Sequence, residues 1–198
     1  MAGGLPTREI YWNIQGAWLL YPILIICVAL FCYFFYKRYK LWLVGQPEAR
    51  FDQIGQRIKN VIVYILSHKK ILRETMPGFM HLLLFWGMLV LAAATAAIAI
   101  QTDLGIEFIY GNFYLYFMSL GADMAGLAVF IGLLIAIYRR YIKRAEGVES
   151  VGDDLVLILF LLIIIVSGFV IEGLRIVGTD DPWKLWSPVG YVFSMMFA

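Results

Sequence analysis

The chain of 198 residues is 62% apolar, 16% aromatic and 15% charged, with a formal net charge of +2. That balance excludes an ordinary water-soluble domain, in which charged residues make up about a quarter of the chain. The small net charge also gives no basic surplus for nucleic acid, and no nucleic-acid partner is expected.

The apolar residues are gathered in blocks. Roughly Ala17–Phe35, Phe79–Ile100, Tyr114–Tyr138 and Leu155–Leu174 are each long enough to cross a bilayer, and a fifth run goes from Trp186 to Ala198. Only helices and closed barrels satisfy the backbone in lipid, and these runs lack the alternation of barrel strands. The expected fold is all-α: an integral membrane helical bundle with four full spans plus a partial fifth, forming one membrane domain over residues 1–198.

The first span has basic residues after it rather than before it and no A-x-A-like cleavage site, so it reads as a retained anchor. Cys27 and Cys32 within it have no metal-ligand spacing and read as small packing residues. A long segment follows, broken at Gly45 and Pro47. Over about residues 48–68, Phe51, Ile54, Ile58, Val61, Ile62 and Ile65 recur at helical spacing, which predicts an amphipathic helix on the membrane surface. His68 ends this segment beside Lys69 and Lys70, where a headgroup-facing side chain is expected.

His81 stands three residues into the uncharged second run and is the only histidine within a span. Ligating groups inside spans are costly and are functional candidates by default. The choice for His81 lies between a haem b ligand and a packed, hydrogen-bonded histidine. His68 is 13 residues away, about 20 Å along a continuous helix, and Pro77 and Gly78 are expected to interrupt that helix. The axial partner of His81 is therefore His68 folded back, a methionine, or a residue absent from this chain.

The third span carries Asp123 and the small residues Gly121, Ala122, Ala125, Gly126 and Gly132. The fourth carries Glu172, with Arg175 at the i, i+3 spacing of an ion pair, and Gly168 and Gly173 as expected close-packing positions. Asp123, Glu172 and Arg175 are candidates for a quinone or proton path, or for polar contacts between helices. The fifth run would rise about 20 Å as a helix, short of a core of about 30 Å, and the chain is expected to be cut short.

All but Arg8, Arg175 and Lys184 of the 16 basic residues fall between spans one and two or between spans three and four. The positive-inside rule makes those loops cytoplasmic and the amino terminus external, in the cell's inner (cytoplasmic) membrane.

The string ILRETMPGFMHLLLFWGMLVLAAAT resembles the second span of the cytochrome-b-type membrane module related to the nitrate reductase gamma subunit. That module also occurs fused to, or partnered with, heterodisulfide-reductase-like Fe–S proteins. REIYWNI, GNFYLYFMSLGADMAGL with YRRY after it, and SGFVIEGLRI followed by WSPVG resemble one branch of it, the Fe–S oxidoreductases that link electron-transfer flavoprotein to menaquinone. The resemblance implies haem b held between histidines of spans two and five, with His81 at the span-two position and the span-five histidines beyond Ala198. It also implies Fe–S clusters in a cytoplasmic partner or domain. The gamma subunits use two histidines in span two, and only His81 lies within this one. Haem propionates would favour basic residues near the cytoplasmic edge, such as Arg73 or Arg139.

The reading is a membrane b-type cytochrome subunit carrying electrons between a quinone pool and cytoplasmic Fe–S or flavoprotein partners, not catalytic alone. The alternative is a cofactor-free membrane anchor for a cytoplasmic redox protein; a transporter is set last because no internal repeat or pair of broken helices supports one. The charge asymmetry predicts that a reporter fused after Arg144 is cytoplasmic and one fused after Asn112 external. The opposite labelling would overturn the orientation.

Overall fold

The computed structural model describes residues 4–46, 51–144 and 152–197, and no strand occurs among them. The chain forms two compact units, one of Tyr11–Ile62 and one of Met1–Ile10 with Val63–Ala198.

In the first unit a 3-10 turn at Ala17–Leu19 leads into helix α1 (Leu20–Trp42), and no residue of either is buried. Cys27 and Cys32, expected to be packing residues, are both exposed. The helix runs past Phe35 because long basic side chains lie back along a helix while keeping their charge in water. Lys37 Nζ sits 4.7 Å over the Tyr33 ring and Lys40 Nζ 4.8 Å over the Tyr36 ring, both one turn back.

Helix α2 (Ile54–Asn60) continues into wider π-type turns over Val61–Leu66. Ile54, Ile58, Val61, Ile62 and Ile65 are all exposed. Of the expected amphipathic segment, residues 48–50 lie outside the described residues, and the helix starts at Ile54. There Gln53 is left-handed (φ 49°) and Asp52 pairs with Arg57 at 2.6 Å.

The second unit is built on three long helices, α3 (Thr75–Leu104), α4 (Gly111–Ile142) and α5 (Gly152–Thr179), followed by the short α6 (Pro188–Ser194). With Ala17–Trp42 they make four helices long and apolar enough to cross a membrane. Each outruns its apolar block by several residues, because the backbone keeps its hydrogen bonds through the first polar residues beyond the apolar run.

Pro77 does not break α3 as its position suggested. It lies in the first turn, where its missing N–H would have had no helical partner. The break falls upstream, at His68 (φ 54°) and at Glu74, which is extended. At the other end Gly105 adopts the left-handed conformation (φ 68°) that closes the helix.

Small residues fix the α3–α4 contact. A Cβ at Gly87 would stand 2.6 Å from Val129 Cγ2 and 2.9 Å from the Ala125 carbonyl oxygen. In α5, Gly173 holds the backbone of α6 close, since a Cβ there would lie 2.9 Å from Ser194 N. Gly168 corrects the expectation of close packing: nothing lies within 4 Å of where its Cβ would be. Without a hydrophobic drive between helices in lipid, such close approach gains the dispersion contacts that association rests on.

The fifth run is helical only over Pro188–Ser194, after a 3-10 turn at Lys184–Trp186. This short helix docks against α5. Proline at its first position is preset for helical φ.

Candidate functional site

Two places bring candidate residues together. The first lies at the end of the bundle that carries the α3–α4 loop. Here α4 is π-helical over Tyr114–Gly121, a widened turn of the kind often found at functional sites. The stretch presents Met118 and Ser119 to a cavity of about 290 Å³ between α3, α4 and α5. Asp123 follows one turn later on the same wall. Glu172 and Ser187 add polar groups, while Ala122, Gly126, Ile164 and Phe169 keep the remainder apolar.

Asp123 is 7% exposed and both its oxygens are used. Val189 N–H donates to one at 2.7 Å and Gly190 N–H to the other at 3.1 Å. These are orphan donors at the start of α6, which no side chain of its own segment caps. Asp123 thus serves as the cap from 66 residues away. A hydrogen bond to a charged group contributes about 1.5–3 kcal/mol, so this carboxylate is a main anchor of α6.

The i, i+3 pair expected of Glu172 and Arg175 is present, with Arg175 Nη2 at 2.8 Å from Oε1 and Nε at 3.1 Å from Oε2. Arg175 also bridges to Asp181 at 2.7 Å. Glu172 takes a further bond from Arg8 Nη1 at 3.2 Å. Ser187 Oγ donates to Glu172 at 3.4 Å and lies 2.8 Å from Ser119 Oγ. Sequence reasoning missed Arg8 and the two serines, because nothing in their local pattern signals contacts 164 and 68 residues apart.

The second place is the opposite end of the bundle, where α3 begins and α4 ends. His68, expected to face headgroups, is instead 1% exposed. Its ring lies 5.1 Å from that of His81, at 55°, and edge-on to Phe85 at 4.8 Å. The left-handed turn at His68 folds it back, and its carbonyl accepts from both Ile71 N–H and Leu72 N–H at 2.9 Å. His68 Nδ1 is 3.1 Å from the Leu66 carbonyl, which only accepts, so Nδ1 carries the proton there. The structure therefore brings together the two histidines that linear spacing set far apart.

His81 itself is exposed. Arg73 is exposed in the turn before α3, and Arg139 is half-buried near the end of α4. Among the described residues neither is hydrogen-bonded or ion-paired to His68 or His81. No group of three or more His, Cys, Asp or Glu side chains suited to a metal ion occurs among the described residues.

These features define a multi-pass helical membrane protein with a polar-walled cavity at one end of its bundle and a histidine pair at the other. The chain is 34% identical over 204 residues to the EtfAB:quinone oxidoreductase of Syntrophomonas wolfei, an alignment covering 98% of this chain and 28% of that protein. It is 31% identical over 142 residues to the E subunit of the dihydromethanophenazine:CoB–CoM heterodisulfide reductase of Methanosarcina acetivorans, covering 69% of this chain and 54% of that one. The corresponding protein of Methanosarcina barkeri is similar at 28% identity. The chain belongs with the membrane modules of EtfAB:quinone oxidoreductase and of the heterodisulfide reductase E-subunit kind. It spans about a quarter and about half, respectively, of the lengths of these relatives. No family model and no solved structure matches it.

Replacing Asp123 with Ala should free the start of α6. Amide exchange at Val189 and Gly190 is expected to rise about tenfold or more, with the amides of α3 unchanged. Unaltered exchange at both positions would show that the cap carries no stability.

Proposed function

We propose that the chain is the membrane electron-transfer part of a quinone-linked oxidoreductase. In this reading it passes electrons between a quinone bound in the Asp123–Glu172 cavity and a cytoplasmic Fe–S protein or domain, itself served by electron-transfer flavoprotein. The observation that carries the proposal is the cavity, which joins an apolar wall to a cluster of buried polar groups. Gly168, exposed and with open space over it, leaves a lateral mouth through which a lipid-dissolved ligand could enter. The relatives' names support the reading, since they pair a quinone or dihydromethanophenazine with a second redox partner. Menaquinone is the proposed quinone, in keeping with the resemblance of the spans.

Within the cavity the chain's own groups divide the work. Glu172 is paired with two guanidiniums, those of Arg8 and Arg175. Asp123 keeps lone pairs beyond its two amide bonds and is the proposed acceptor for a quinol hydroxyl. In this reading the basic loops are cytoplasmic, which would put the cavity at the external end, the chain in the inner membrane and its amino terminus outside.

A haem b at the other end would supply one-electron transfer across the low-dielectric core. His81, exposed on α3, would hold it. The buried His68 ring packs 5.1 Å from that of His81. We assign the second ligand to another segment, in keeping with the resemblance of the spans, and His68 to bracing His81. Arg73 and Arg139, at the same end, are the proposed propionate partners.

In the complete complex, His81→Ala is expected to remove the reduced b-type absorbance. His68→Ala should lower haem occupancy without abolishing it. Full haem retention in His81→Ala would contradict the assignment, and a wild-type complex without haem would leave the cofactor-free membrane anchor as the reading.

A further inference from the structure

The cavity can be read for what it still has to offer a ligand. Glu172 and Asp123 only accept hydrogen bonds when ionised. Ser187 donates to Glu172, and the 2.8 Å contact between the two serine oxygens then takes the proton of Ser119. Arg175 does not line the cavity, and its Nε and Nη2 are spent on Glu172 and Asp181. Arg8 is different. It lines the cavity, and among the described residues its hydrogen bonding is a single bond from Nη1 to Glu172 at 3.2 Å. A guanidinium has five N–H groups, so most of the donors of Arg8 are uncommitted.

Arg8 is also held in place by its own segment. The strap before it is pinned to the α3–α4 loop where Gly111 N–H donates to the Pro6 carbonyl at 2.7 Å and Thr7 Oγ1 donates to the Ile109 carbonyl at 3.0 Å. Gly111 is left-handed (φ 60°), a conformation that suits glycine. On the far side of Arg8, Ile10 packs against the core cluster around Tyr114 and Met118. The loop end is itself tied down, since Gln101 Oε1 accepts from Phe108 N–H and Ile109 N–H. Charge adds a reason for the cation to stay. Asp123, Glu172 and Asp181 are three carboxylates against the guanidiniums of Arg8 and Arg175.

We propose that Arg8, carried across the cavity by this amino-terminal strap, is the donor that recognises a carbonyl oxygen of an aromatic dione bound there. The proposal rests on the reading of the cavity as a quinone site and adds the group that selects the oxidised carrier. Glu172 aims the guanidinium, and one N–H bond to Glu172 leaves the rest for the ligand. A carbonyl oxygen only accepts, whereas a phenol hydroxyl is the weaker acceptor and also has a proton to donate, so Arg8 favours the dione and Asp123 would take the hydroxyl proton of the reduced diol. Arg8 is thus a binding and orienting residue.

The test uses the complete complex and menadione, a naphthoquinone without a tail, assayed by turnover and by equilibrium binding. Arg8→Gln is expected to raise both KM and Kd for menadione about tenfold, with kcat changed less than threefold. Arg8→Lys should recover most of the affinity, because it restores a cationic donor. In wild type, menadione should bind about tenfold tighter than 2-methylnaphthalene, which lacks both oxygens, and Arg8→Gln should erase that preference. Gly168→Leu tests the underlying site, since it fills open space at the mouth and should raise KM whatever Arg8 does. An unchanged KM in Arg8→Gln, with a raised KM in Gly168→Leu, would overturn the role of Arg8 and keep the cavity. Unchanged KM in both would overturn the cavity reading as well. Should Arg8→Gln fail to assemble, equal wild-type affinity for menadione and 2-methylnaphthalene would by itself overturn the proposal.

Discussion

A carboxylate in the middle of an apolar helix has to be satisfied, and the way Asp123 is satisfied organises one end of this protein. Its two oxygens take the first free amides of α6, a helix too short to persist alone and with no cap of its own. Docking α6 in this position brings Ser187 to Ser119 and Glu172, and it sets Gly190 close against the Glu172 side chain. The cavity wall is therefore a consequence of how one buried acid finds its partners. Neighbouring helices in lipid gain little from apolar burial, so polar contacts of this kind specify the arrangement more than they would in water.

The same end concentrates charge. Glu172 stands between Arg8 and Arg175, and Arg175 reaches on to Asp181, so each of these four charges has a partner of opposite sign. Breaking one such pair leaves its partner uncompensated, which costs more than the pair itself contributes. That asymmetry gives the cluster a fixed geometry around a space lined with small and apolar groups. The opposite end is built differently: His68 and His81 meet through a left-handed turn and ring packing, without a carboxylate among the hydrogen-bond partners described there.

Much of this was legible in the sequence, and the reasons for the rest are specific. The four long helices follow from the length of the apolar blocks. The Glu172–Arg175 pair follows from i, i+3 spacing, which needs no tertiary knowledge. Asp123 could be seen to need a partner, yet the partner lies 66 residues on and consists of backbone amides that carry no side-chain signal. His68 reads as headgroup-facing because Lys69 and Lys70 follow it, while the left-handed turn at His68 (φ 54°) folds its ring in beside His81. Pro77 read as a breaker because its position within the first turn could not be seen before the helix start was known. Gly168 shows the limit of composition most directly. It shares its residue type with Gly173, but one has open space above it and the other a packed backbone.

The central claim is that the polar-walled cavity at the α3–α4 loop end holds a quinone. A photoreactive azido-naphthoquinone applied to the complete complex, followed by mass spectrometry of the labelled peptides, addresses it directly. The account predicts label within residues 118–126 and 164–172, suppressed by excess menadione. Label confined to the end that carries His68, His81 and Arg139, or label that menadione does not displace, would contradict it.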